Sequence, residues 1–176
     1  MLKWMMIAAV LAMPAASQAQ TVTIKRGESV TLILGDDDAL HPLDVTKTDA
    51  NPYETNATAE FQRGDYDAAI GANSLPMTTD SRAGVLAPQP ARGKLVLRFV
   101  RSPNKDDSLL SIQNGLGVAI AYRATMTIDG KAQPTDVCLV PPGRLGNEYW
   151  PHRIDSLDLS SFRLVPWSAG DGVKCE

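Results

Sequence analysis

The side chains best able to do chemistry in this sequence are few and scattered. An acidic run, Asp36-Asp37-Asp38, precedes His41, and Asp44 and Asp49 follow. Carboxylates and an imidazole this close supply hard oxygen and nitrogen ligands, so Asp36, Asp38 and His41 are the candidate metal set. Calcium asks for about six to eight converging oxygens. The run matches no EF-hand loop and lacks the glycine at its sharp turn, so a solvated acidic loop is the plainer reading. The second histidine, His152, follows Pro151 far along the chain, and the separation neither supports nor excludes contact with His41.

Nucleophilic catalysis has little to work with. The G-x-S-x-G elbow is absent, and no S-x-x-K is followed by the companion motifs of penicillin-interacting enzymes. Glu28, Glu54, Glu60 and Glu148 could in principle pair for sugar hydrolysis, but their spacing singles out none of them. Glycine loops that cradle phosphate are also missing, since Gly115 and Gly117 lie between strand patterns and open no helix. No catalytic residue and no cofactor is therefore assigned.

The densest group of recognition-type side chains is Glu148-Tyr149-Trp150-Pro151-His152. Tyrosine and tryptophan offer large apolar area with a polar handle, the chemistry of many binding hot spots. Glu148, Tyr149 and Trp150 are the candidate contact residues. The competing reading is that Trp150 covers an end of the core while Glu148 faces solvent.

Cys138 and Cys175 are the two cysteines of the chain. With no C-x-x-C spacing and no evident histidine partner, they read as a disulfide in an oxidising compartment. Closing that loop contributes about 3–4 kcal/mol in the chain-entropy picture and ties down a tail that would otherwise fray.

That compartment is suggested by residues 1–19. Lys3, the apolar run Trp4 to Met13 and the small-residue end Ser17-Gln18-Ala19 have the pattern of a cleaved secretory signal, with Gln20 as the mature N-terminus. The apolar run is shorter than the roughly twenty residues needed to span a bilayer. The leader also carries Met1, Met5, Met6 and Met13, leaving Met77 and Met126 in the mature chain. Met126 alternates in phase with Tyr122 and Ile128, as a core residue would, so a copper-carrier reading gains nothing.

The elements that must position these residues read as strands. Val22-Thr23-Ile24 alternates and breaks at Gly27, then Val30, Leu32 and Leu34 alternate again. This opening resembles the first strands of immunoglobulin-like sandwiches, a resemblance of architecture that lacks the Cys–Trp–Cys spacing of antibody domains and transfers no site. Leu95, Leu97 and Phe99 point one way, opposite Lys94, Val96 and Arg98. Val118, Ile120, Tyr122, Ala124, Met126 and Ile128 form the longest stripe of period two. Asp129-Gly130 marks a hairpin, and Val137 to Val140 is the expected next strand. Leu157 and Leu159 differ in parity from Phe162 and Leu164, so Ser160-Ser161 must be a turn or a bulge.

Between the early and later strands, residues 35–93 form a long polar segment without sustained alternation. A loop of that length rarely lacks structure of its own. A helical turn near Asp65 to Ile70 and an extended piece near Gly84 to Ala87 are expected within it.

The expectation is an all-β fold, an antiparallel β-sandwich of immunoglobulin-like architecture at residues 20–176, interrupted by the partly irregular insertion 35–93. Its net charge of −3, made more negative by loss of Lys3, argues against nucleic acid as partner. The leading functional expectation is an exported, periplasmic or secreted, non-catalytic protein that works through protein or cell-envelope contacts. The alternatives are a secreted hydrolase or ligand-binding enzyme with its site in 35–93, and a periplasmic metal-handling protein.

Overall fold

A computed structural model describes residues 20–64, 87–103 and 105–176. The chain forms two antiparallel sheets packed face to face, consistent with the expected all-β sandwich. Strands β1 (Val22–Lys25), β6 (Ala119–Ile128), β7 (Lys131–Thr135) and β9 (Ser156–Val165) make a four-stranded sheet in the order β1-β9-β6-β7. Strands β2 (Glu28–Leu34), β3 (Leu40–Lys47), β4 (Lys94–Arg101), β5 (Ser108–Asn114) and β8 (Arg144–Trp150) make the other, in the order β3-β2-β4-β5-β8.

The break at Gly27 is the point where the chain leaves one sheet for the other. Gly27 adopts φ 81°, a conformation that costs a residue without Cβ nothing. The inward residues of both sheets then meet in one core. Ile24, Leu32, Leu95, Leu97, Phe99, Leu110, Ile112, Ile120, Leu157 and Leu159 are all essentially without solvent contact. The parity change in β9 is a bulge and not a turn. Ser161 takes φ 53°, and the β6–β9 register shifts between Ala121 and Arg123, so Phe162 and Leu164 still reach the core.

One local expectation is corrected. Asp129-Gly130 does close a hairpin, with both residues at positive φ, but the returning strand is Lys131–Thr135. Residues 137–140 instead run between the sheets and make only isolated bridges, Ile120↔Val140 and Cys138↔Cys175. Inside 35–93 lie two elements that the polar texture concealed, β3 and the helix α1 (Pro52–Gln62). The expected turn at 65–70 lies outside the described residues, as does the extended piece apart from Ala87. Among the described residues, no helix is long and apolar enough to cross a membrane.

Helix α1 follows from four consecutive residues. Asn51 caps it, its side chain accepting from the Glu54 amide at 2.9 Å, while the Glu54 carboxylate accepts from the Asn51 amide at 2.9 Å. Pro52, with no amide hydrogen to satisfy, opens the first turn. The helix lies on the outer face of the five-stranded sheet, which is why β5 is buried along its whole length.

Candidate functional site

Strand geometry settles where the aromatic segment goes. Successive residues of β8 face opposite sides of the sheet, so Glu148, Tyr149 and Trp150 cannot share a surface. Trp150 turns inward to the main core, 8% exposed, and its indole N–H donates to Thr135 Oγ1 at 3.0 Å. Tyr149 turns outward beneath α1. It stacks on Phe61 with ring centroids 5.0 Å apart, and its hydroxyl donates to Asp107 Oδ2 at 2.6 Å.

Glu148 turns inward again, into the seam between the sheets. Its Oε1 accepts from the Cys138 amide at 2.6 Å and from the Tyr122 hydroxyl at 3.4 Å. Burial pushes its carboxyl up to about 7, with the charge of Asp136 adding to the effect and the Cys138 amide opposing it. The expected contact surface is therefore divided among three structural tasks, namely core packing, helix docking and a link between sheets.

The acidic hairpin is likewise divided. Asp36, Asp37 and Asp38 are exposed in the β2–β3 connection, where Asp38 takes φ 57°. His41 bonds neither Asp36 nor Asp38; its Nε2 meets the two carboxylate oxygens of Asp37 at 2.9 and 3.1 Å. That bond, helped by the Ala39 amide, holds the Asp37 carboxyl below the usual carboxylate range. Among the described residues, no group of three or more His, Cys, Asp or Glu side chains is gathered as a metal site would need. His152 is exposed in the β8–β9 connection, its carbonyl accepting from Ser108 Oγ.

Cys138 and Cys175 are bonded as expected. The tail pairs alongside them, with the Val137 and Glu176 backbones exchanging hydrogen bonds at 3.0 Å and the Leu139 amide donating to Lys174 at 2.8 Å. The disulfide thus fastens the last residues to the segment that Glu148 holds from the other side.

Two features lay outside the sequence reading. The first is the polar layer beneath α1. The Glu54 carboxylate is fully buried and takes a two-pronged contact from Arg98, at 2.6 Å from Nε and 3.1 Å from Nη2. Arg98 also donates to the Asp49 carbonyl, while Asn147 donates to the Tyr53 hydroxyl at 2.8 Å. The signal was present in Asn51-Pro52-Tyr53-Glu54, but the inward stripe of the helix, Glu54, Ala57, Thr58 and Phe61, is half polar and does not look amphipathic.

The second is β3, an edge strand that pairs only with β2 among the described residues. Seven of its eight residues are exposed. Leu43 and Val45, 54% and 56% exposed, stand out with Leu34 at 37% as the exposed large hydrophobic residues of the described chain. The register against β2 shifts by one residue at Leu43, and Pro42 supplies no amide donor, so the first half of the edge is interrupted. The second half, from Asp44 to Lys47, is regular, and its outer side pairs with no other strand among the described residues.

No family model, curated protein or solved structure matches the chain.

Proposed function

We propose that this is an exported, non-catalytic β-sandwich that holds a protein partner of the cell envelope or exterior, and that the partner adds an extended segment to β3. The observation that carries this reading is the edge from Asp44 to Lys47, unpaired on its outer side among the described residues, with Leu43 and Val45 exposed beside it. Unpaired strand groups offer main-chain hydrogen bonds to an incoming strand, and apolar side chains at the edge supply burial. Export is supported by the leader pattern, and the disulfide is compatible with an extracellular or periplasmic location.

The test is recovery of partners from the native envelope by the exported protein and by its Leu43→Lys/Val45→Lys variant. The reading expects a specific partner to be lost with the variant, whose exposed substitutions should leave the thermal midpoint unchanged. Identical recovery by both proteins would remove β3 as the contact.

A further inference from the structure

A second surface lies where β1 passes into β2. An open recess of about 540 Å³ is lined by Arg26, Gly27, Arg101, Asp106, Arg153 and Asp155. Three guanidinium groups from three separate parts of the fold converge there against two carboxylates, so the lining carries one net positive charge.

These five charged groups are not equally committed. Asp155 is held on two sides, by Arg153 Nε at 2.9 Å and by the Asp129 amide at 3.1 Å, and its carboxyl is correspondingly lowered. It belongs to the frame. Asp106 is different. Its Oδ1 meets Arg26 Nη2 in a short contact and Arg101 Nε at 3.7 Å, and it makes no other side-chain bond among the described residues. A carboxylate therefore already sits between two guanidiniums, and it comes from a half-exposed side chain that can leave. Arg26 is the fixed partner, only 14% exposed, with its buried Nε finding no acceptor among the described residues. Arg101 is 65% exposed and can turn towards a ligand, while Arg153, 62% exposed, is tied to Asp155 through Nε and has its two terminal nitrogens to offer.

The geometry points to a binding site for a small polycarboxylate, one carboxylate of which takes the position of Asp106 between Arg26 and Arg101 while another engages Arg153. Planar guanidinium groups match carboxylates and phosphates alike in two-pronged fashion, and what favours carboxylate here is that the Asp106 carboxylate already fits between Arg26 and Arg101. Asp106 acts as an internal competitor that keeps the site closed to weak anions. This goes beyond the β3 contact and stands or falls separately from it.

Titration with citrate, read from the arginine side-chain N–H resonances of the purified protein at low ionic strength, tests the assignment. Saturable shifts at Arg26, Arg101 and Arg153 are expected. Asp106→Asn should tighten citrate binding severalfold by removing the competitor. Arg101→Gln/Arg153→Gln should weaken it about tenfold or more through the loss of charge-assisted hydrogen bonds, in a protein whose thermal midpoint is retained because both side chains are exposed. Shifts that never saturate, or that survive the double substitution, overturn the site. Inorganic phosphate binding as tightly as citrate overturns its carboxylate preference.

Discussion

The two edges of the five-stranded sheet are built on opposite plans. At one edge, β8 is occupied on both faces: Trp150 and Glu148 turn inward, and Tyr149 is covered by the helix. At the other, β3 exposes nearly every residue, two of them large and apolar. The aromatic, recognition-like composition belongs to the edge that is spent on stability, and the plainer strand is the one left open. A dense group of aromatics marks contact area, and an interior needs contact area as much as an interface does.

Substitutions on the closed edge should cost stability and those on the open edge should not. Trp150→Ala removes a core side chain and its hydrogen bond to Thr135, and should lower unfolding free energy in denaturant by about 3–5 kcal/mol. A loss under about 1 kcal/mol would mean that β8 is not closed as described. Beneath the helix, Glu54→Ala leaves Arg98 facing a buried site without its acceptor. A cost of about 3 kcal/mol is expected from the same measurement, with much less for a paired replacement of both residues by apolar ones.

Glu148 gives the closed edge a pH signature. Its carboxyl is raised to about 7 in the folded protein from 4.5, so between those values the folded state holds a proton that the unfolded state has released. Its contribution is complete below about pH 4.5 and is lost as pH rises through about 7. A shift of that size corresponds to about 3 kcal/mol. Glu148→Gln should flatten that part of the stability–pH curve, and an unchanged slope would show that another group sets it. On the open edge, Val45→Lys should shift stability by no more than about 0.5 kcal/mol while impairing partner recovery. Large destabilisation with intact recovery would reverse the contrast between the edges.

Much of the sandwich was legible because its inward faces are apolar and its period is two. Leu95, Leu97, Phe99 and the β6 residues Ile120, Tyr122 and Ala124 are buried, Val118, Met126 and Ile128 pack partly buried against the same core, and the parity change at Ser160-Ser161 is a bulge. Strand β3 escaped because its exposed position removes the alternation that burial imposes, and Pro42 adds a breaker at an edge that tolerates it. The helix escaped because Glu54 and Thr58 occupy its inward stripe, although the capping box at Asn51 and Glu54 stood in plain view. Glu148, Tyr149 and Trp150 are parted for a simpler reason. Neighbours in sequence are opposites across a strand.

The all-β class, the inward sets of the main strands and the pairing of Cys138 with Cys175 are written in the chain's local patterns. Each follows from local periodicity or from there being two cysteines to join. That Arg98 meets Glu54, that Asp106 meets Arg26, and that β3 is an edge strand paired only with β2 among the described residues emerges from the assembled fold. Those outcomes depend on strand order and on which distant segments share a face, and short-range patterns along the chain carry neither.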